Sequence, residues 1–134
     1  MNKTSYQLFR LRENDQILGY MRFIKPSKIF YSKDRLWWQS DRITYNVKDS
    51  YTELTDQNQQ WIFDKDIIEM KDNTTQFKAV VLYDIDRMDF VAVRCDTFEA
   101  ILISKWKDYR LKIVSYLFIN PEIETELKDR EWQL

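Results

Sequence analysis

Three aspartates form the group whose spacing most resembles a reactive site. Asp84, Asp86 and Asp89 lie close together in the stretch DIDRMD, and clustered carboxylates are ligands that hard cations prefer. The stretch lacks the glycine and the distal glutamate of a calcium loop. A solvated hairpin turn therefore explains these residues better than a cation site.

The sequence lacks the residues that nucleophilic catalysis and phosphate binding usually need. The sequence contains no histidine, one glycine and one cysteine, Cys95. Without a histidine base, Cys95 is expected to be a half-buried thiol rather than a nucleophile, and a single glycine cannot form a Gly-rich phosphate loop. Asp64 and Asp66 flank Lys65 and are expected to be turn residues, not an acid/base pair. We therefore predict no enzymatic activity, no cofactor and no metal.

An aromatic and basic cluster is the candidate binding site. Aromatic and cationic side chains alternate along one short stretch, and the residues predicted to bind a partner are Lys28, Phe30, Tyr31, Lys33, Arg35, Trp37 and Trp38. Trp, Tyr and Arg are enriched in protein hot spots, whereas rings among cations also bind single-stranded nucleic acid. A third interpretation places Trp37 and another ring in the core, with the basic groups solvated.

The adjacent tryptophans decide between these interpretations only if they lie in a strand. In a strand, Trp37 and Trp38 would point to opposite faces, and one of them would lie outside the main core. This favours a protein partner, leaves nucleic acid as the alternative, and leaves a homo-oligomer open.

Strands must position these side chains, because apolar and polar residues alternate along most of the chain. SYQLFRLR (5–12) and QILGYMRFI (16–24) predict a hairpin, and Gly19 inside the second strand predicts a bulge or a close backbone approach. RITYNV (42–47) predicts an amphipathic strand. YTELTDQNQQWIFDKDII (51–68) predicts strand, turn and strand, and apolar segments follow up to residue 95.

The last third of the chain predicts a strand and a helix. RLKIVSYLFI (110–119) is the most apolar strand candidate and is expected to be central. Asn120 is expected to cap a helix that begins at Pro121, whose stripe of Ile123, Leu127 and Trp132 packs on its own sheet or reaches a neighbouring chain. Residues 96–107 fit helix or strand, with a short helical turn followed by a strand preferred.

The composition describes a globular protein. The chain has 134 residues, 44% of them hydrophobic and 16% aromatic, with a net charge of −1. Residues 1–40 carry eight basic and three acidic side chains, a net charge of +5, whereas residues 41–99 carry seven basic and thirteen acidic, −6. Residues 100–134 carry six of each. No signal peptide or membrane-length apolar run is evident, so a cytoplasmic protein is expected.

Two segments resemble the YopX family, small proteins of phages, prophages and Gram-positive bacteria. YTELTDQNQQWIFDKDIIEMKD (51–72) is similar to the family's most typical stretch, and KIVSYLFINPEIETEL (112–127) to its closing one. SYQLFRLREND (5–15) is similar to its opening strand. The family's glycines fall at Glu53, Gln59 and Lys65 of this chain, so this would be a diverged member that lacks them.

The resemblance implies a fold and no active site. It implies an α+β, mainly β domain over residues 1–134: a strongly bent antiparallel sheet or small barrel with a C-terminal helix. Its portions are expected at 1–50, 51–119 and 120–134. The implied role is a non-enzymatic phage or prophage accessory protein that binds a host or phage protein. Inhibition of a host defence system, such as a CRISPR nuclease, is a concrete version of that role.

Overall fold

The computed structural model describes residues 6–134. These residues form ten strands and one α-helix: β1 (Tyr6–Glu13), β2 (Gln16–Ile24), β3 (Lys28–Ser32), β4 (Val47–Thr55), β5 (Trp61–Phe63), β6 (Asp66–Lys71), β7 (Gln76–Asp84), β8 (Asp89–Arg94), β9 (Ala100–Leu102), β10 (Arg110–Tyr116) and α1 (Pro121–Asp129). Short 3₁₀ helices lie at Ile103–Asp108 and Leu117–Ile119.

The strands form two antiparallel sheets. The first has the order β3-β2-β1-β4-β5 and the second β10-β6-β7-β8-β9. The predicted α+β, mainly β class with a C-terminal helix is confirmed. Both sheets are open, so the alternative of a small closed barrel is wrong. The chain divides into two compact units, Met1–Tyr51 and Thr52–Leu134, which are called the first and second unit below.

The hairpin predicted at the start of the chain is present as β1 and β2. Its register shifts between Leu11 and Arg12, opposite Gly19, so a bulge interrupts the pairing there. A Cβ added at Gly19 would lie 2.6 Å from the carbonyl oxygen of Ser32 and 2.8 Å from Cδ1 of Ile43. Both features predicted for the lone strand glycine are therefore confirmed, because the neighbouring backbone leaves no space for a side chain.

The amphipathic segment 42–47 is not a strand, contrary to prediction. Strand β4 begins only at Val47, although the alternation is real: Ile43 and Tyr45 pack against the small core of Leu11, Met21 and Tyr31. Alternating burial therefore arises here in a segment of which residues 42–46 lie outside the strands, although the N–H of Asn46 donates to the carbonyl of Arg12 at 3.0 Å. The sequence pattern alone cannot distinguish such a segment from a strand.

The second sheet is buried on both faces. Alternate residues of β7 enter two separate clusters, with Ala79 and Val81 in one and Val80 and Leu82 in the other. The 3₁₀ helix Ile103–Asp108 covers the first face through the fully buried Trp106. The continuous apolar run of β7 follows from this double burial.

Strand β10 is an edge strand and not the predicted central one. Its outer side is covered by the turn after β4: the backbone N–H of Gln57 donates to the carbonyl of Leu111 at 2.8 Å, and the N–H of Ile113 to the carboxylate of Asp56 at 3.0 Å. Because the turn satisfies these groups, an edge strand can carry the apolar residues expected in the middle of a sheet.

The turn followed by a strand that was preferred for residues 96–107 is present, but a 3₁₀ helix that was not predicted follows the strand. A turn at 95–97 leads into β9, and the 3₁₀ helix Ile103–Asp108 follows the strand. Asp96 does not begin a helix, since it accepts two hydrogen bonds from the Arg94 guanidinium at 2.9 and 2.7 Å. That ion pair lowers the pKa of Asp96 to about 2.

The C-terminal helix begins at Pro121, as predicted. Asn120 is at the N-cap position, but its side chain makes no capping bond and donates instead to Ser115 Oγ and the Tyr116 carbonyl. The apolar stripe packs on the helix's own sheet, with Leu127 fully buried and Ile123 beside it. The expected packing is therefore confirmed, whereas the side-chain cap is wrong.

Non-glycine residues occupy the left-handed backbone conformations of this glycine-poor chain. Among residues 6–134, eight non-glycine residues have positive φ. They include Glu53, Gln59 and Lys65, with φ of 70°, 61° and 76°. These backbone conformations therefore form without glycine, inside strand β4 at Glu53 as well as in turns, at a cost of roughly 1–2 kcal/mol for each left-handed residue.

Replacement of Gln59 by Gly is expected to stabilise the protein by about 0.5–1 kcal/mol, because relief of the left-handed strain exceeds the extra entropy that glycine loses on folding. Gln59 is exposed, so few contacts are lost. Urea denaturation should show a higher midpoint at an unchanged slope. The neighbouring Gln60→Gly is the control and should destabilise, since Gln60 is exposed but does not have positive φ. Equal effects of both substitutions would contradict the strain argument.

A candidate protein-binding loop

A closed loop follows strand β3 and carries most of the predicted site. The backbones of Tyr31 and Gln39 pair at its base, with N–H to carbonyl distances of 2.7 and 3.0 Å. Residues 32–38 between them are called the Trp37 loop. Because both ends are fixed by the pairing, the loop is held in one place on the first unit.

Two short polar side chains fix the inside of the Trp37 loop. Oδ1 of Asp34 accepts hydrogen bonds from the backbone N–H groups of Leu36 at 2.9 Å and Trp37 at 3.0 Å. Ser32 Oγ accepts from the N–H of Arg35 at 2.8 Å. The hydrogen bonds from Trp37 and Leu36 lower the pKa of Asp34. Asp34 is therefore an anion at neutral pH and holds the loop as an Asx turn does.

The tip of the Trp37 loop exposes two large apolar side chains. Leu36 is 86% and Trp37 72% exposed. The interpretation that places Trp37 in the core is therefore wrong. The two tryptophans do not lie in a strand, because residues 33–38 form bends and irregular structure, so the argument from opposite strand faces does not apply to them. Leu36 was not among the predicted site residues, since an isolated leucine in a sequence signals core as readily as surface.

Trp38 is held against the first unit and is only half-exposed. Its indole Nε1 donates to the carbonyl of Arg35 at 3.1 Å. The Arg22 guanidinium lies over the Trp38 ring at 4.2 Å from its centroid and over the Tyr6 ring at 4.9 Å. Such cation–π stacking fixes both partners, so Trp38 supports the loop and Trp37 is the ring offered to solvent.

The remaining predicted site residues divide between surface and core. Lys28 and Lys33 are exposed, and Phe30 is half-buried. Tyr31 is only 7% exposed and belongs to the core of the first unit. Arg35 is half-buried, with its guanidinium 5.9 Å from the centroid of Tyr20. The structure thus gathers Lys33, Trp37 and Arg35 in one loop but removes Tyr31 from any contact surface.

Most of the acidic residues considered for chemistry lie in turns or at the strand ends beside them, but Asp66, predicted to be a turn residue, begins strand β6 and is fully buried. Asp84 and Asp89 pair at the end of the β7–β8 hairpin, and Asp86 is in its turn. Asp64 forms an ion pair with Lys65 at 2.7 Å. Within residues 6–134, no three acidic or cysteine side chains come together as a metal site requires. Cys95 is half-buried, and burial raises the pKa of its thiol.

Comparison with known proteins gives no match: no family model fits the chain, and no curated protein is similar to it. Among the described residues, none of the helices has the length and hydropathy needed to cross a membrane.

Proposed function

We propose that this protein is a non-enzymatic binding protein whose Trp37 loop docks on another protein. The observation that carries the proposal is the exposure of Leu36 and Trp37, 86% and 72%, on a loop closed by backbone pairing and fixed by Asp34. A large aromatic side chain on a preorganised loop loses little conformational entropy on binding, which is how protein hot spots gain affinity.

The composition of the tip favours a protein partner over nucleic acid. Single-stranded nucleic acid is held by successive exposed rings on which bases stack. Of the four rings in residues 28–38, only that of Trp37 is mainly exposed, while Phe30 and Trp38 are half-buried and Tyr31 is buried. The neighbour of Trp37 at the tip is a leucine, which offers no stacking surface but fits an apolar protein pocket.

The charge around the loop indicates an acidic partner. Residues 1–51 contain ten basic and five acidic side chains, a net charge of +5. Lys33 is exposed in the loop itself, and Lys28 is exposed at the other end of strand β3. Charges at the rim of an interface chiefly raise the association rate and set specificity, so a partner with an apolar pocket and acidic surroundings complements this surface best.

The resemblance to the YopX family supports a phage or prophage origin. The three positions at which family members have glycine, occupied here by Glu53, Gln59 and Lys65, all have positive φ. This is the backbone conformation that glycine adopts at least cost. We therefore propose that the chain is a diverged YopX-like accessory protein that acts in the host cytoplasm, and that its partner belongs to host machinery such as a CRISPR nuclease or another defence protein.

Trp37→Ala should weaken binding to the partner by at least about 2 kcal/mol while leaving stability within about 0.5 kcal/mol. Affinity capture from an expressing or infected bacterial host identifies the partner, and interferometry on the purified pair then measures the dissociation constant. Met88→Ala is the matched control, because Met88 is 77% exposed but lies on the second unit.

A salt series separates the two classes of partner. Docking of the apolar tip on a protein pocket with an acidic rim should lose only a modest part of its affinity as salt rises, through slower association, whereas phosphate binding weakens steeply and log-linearly with salt. Equal affinity of Trp37→Ala and the unaltered protein for the captured partner would refute the role of the loop. Capture that is abolished by nuclease treatment would favour nucleic acid instead.

A further inference from the structure

A second candidate site is an open apolar groove on the second unit. It lies between the segment 54–57, the 3₁₀ helix Ile103–Asp108 and strand β10, and its volume is about 540 Å³. Its floor consists of Leu54, Ile103, Trp106, Tyr109 and Leu111. All of these except the buried Trp106 are half-buried, so each offers part of its apolar surface to an occupant. The volume is within the range of sites that hold a small molecule or a few side chains.

Hydrogen bonds across one end of the groove hold its walls together. The turn at Asp56 and Gln57 is joined to β10 by the bonds to Leu111 and Ile113 described above. The other carboxylate oxygen of Asp56 accepts from the backbone N–H groups of Asn58 and Gln60, each at 2.9 Å. Asp56 is 6% exposed. Its negative charge is therefore used within the turn and is not offered to the groove.

The charge that the groove does offer is positive. Lys107 and Arg110 line it and are exposed. Residues 103–112 contain four basic and one acidic side chain, whereas the second unit as a whole, residues 52–134, contains eleven basic and seventeen acidic ones. A local charge of +3 thus lies in a unit of net charge −6. This contrast selects an anionic occupant by charge complementarity.

We propose that this groove binds an acidic peptide segment of another protein, with one large apolar side chain of that segment seated on the floor. The site is separate from the Trp37 loop and does not depend on the function proposed for that loop. A second copy's Trp37 loop is a poor occupant, because Lys33 and Arg35 would meet Lys107 and Arg110. The protein's own acidic helix α1 is already packed through Leu127 on the other core cluster.

The test uses a fluorescein-labelled peptide in which a central phenylalanine is flanked by glutamates on both sides. Fluorescence anisotropy is expected to show saturable binding to the full-length protein. Exchange of phenylalanine for alanine, or of the glutamates for lysines, should each weaken binding at least tenfold, which is about 1.4 kcal/mol. No binding of the acidic peptide at millimolar protein would overturn the proposal.

Charge reversal of the groove provides the decisive variant. The double substitution Lys107→Glu and Arg110→Glu should weaken binding of the acidic peptide at least tenfold. It should strengthen binding of the lysine-flanked peptide instead. A variant that had merely misfolded could not gain affinity for the lysine-flanked peptide. Arg87→Glu with Lys128→Glu makes the same change in net charge at exposed positions that do not line the groove and should leave binding unchanged.

Three results would overturn the site. One is equal binding of the acidic peptide by both double variants, which would place it elsewhere. Another is loss of peptide binding in Trp37→Ala, which would assign the peptide to the Trp37 loop. The third is binding of a small apolar carboxylate, such as phenylpropionate, without binding of the peptide, which would make the occupant a small molecule.

Discussion

Asp49→Ala is expected to lower the free energy of unfolding of the first unit by about 3–5 kcal/mol, the cost of leaving buried charges without their partner. Asp49 is 2% exposed. The two arginines that it contacts are also buried, since Arg10 is 2% and Arg12 6% exposed. Asp49 pairs with Arg10 across strands β4 and β1. All three side chains therefore lie in a region where water cannot compensate for a lost ion pair.

The geometry explains why one carboxylate matters so much. Nε and Nη2 of Arg12 donate to the two oxygens of Asp49 at 2.7 and 2.9 Å, which is a bidentate pair. Nε of Arg10 donates to Oδ2 at 2.9 Å. Arg12 also donates to the carbonyl of Asn14. Removal of Asp49 would therefore leave two buried guanidinium groups without the carboxylate that accepts their hydrogen bonds.

Amide hydrogen exchange is the measurement, because it reports the strands of each unit separately. Amides of β1 and β2 should lose protection in Asp49→Ala. The control is Asp41→Ala in the same unit, an exposed residue whose loss should cost less than about 0.5 kcal/mol. Equal protection in both variants would show that the network contributes no stability. Replacement of all three network residues by apolar ones should recover much of the loss.

This network was not predicted from the sequence, although part of its signal was present. Arg10 and Arg12 alternate with Phe9 and Leu11 in β1, which places both arginines on one face. Basic residues on one face of a strand ordinarily indicate that this face is exposed to solvent. The partner, Asp49, is 37 residues beyond Arg12, and no local pattern links positions that far apart.

The parts of the fold that were predicted depend on local patterns. The β1–β2 hairpin, the β7–β8 hairpin and the start of α1 at Pro121 follow from strand alternation, turn residues and the fixed φ of proline. Gly19 was also interpreted correctly, because a lone strand glycine signals a lack of space whatever lies beside it.

The errors have a common physical cause in tertiary contacts. Strand β10 was predicted to be central because it is apolar, yet backbone groups on its outer side are satisfied by the turn at Asp56 rather than by a second strand. Half-buried and exposed side chains alternate along residues 42–47 as predicted, but most of this segment pairs with no strand. The Trp37 loop was located but its orientation was not, since Asp34 turns Leu36 and Trp37 outward through backbone hydrogen bonds.

Trp106→Ala is the other substitution with a large expected effect, a loss of about 3–5 kcal/mol in the free energy of unfolding of the second unit. Trp106 has the largest fully buried side chain among the described residues. It packs in the cluster that contains Ile62, Ile68 and Met70, and its indole Nε1 donates to the carbonyl of Ile101 at 3.1 Å. Alanine would leave a cavity and an unsatisfied carbonyl together.

The exposed tryptophan of the same chain is the matched control for this substitution. Trp37→Ala removes an identical side chain that is 72% exposed, so its effect should stay within about 0.5 kcal/mol. Trp106→Phe should lose less than Trp106→Ala, since the ring refills most of the cavity and only the hydrogen bond to Ile101 is lost. Urea denaturation of the three variants gives the comparison. If Trp106→Ala and Trp37→Ala cost the same, Trp106 is not a core residue, and the floor of the groove that it supports would have to be reconsidered.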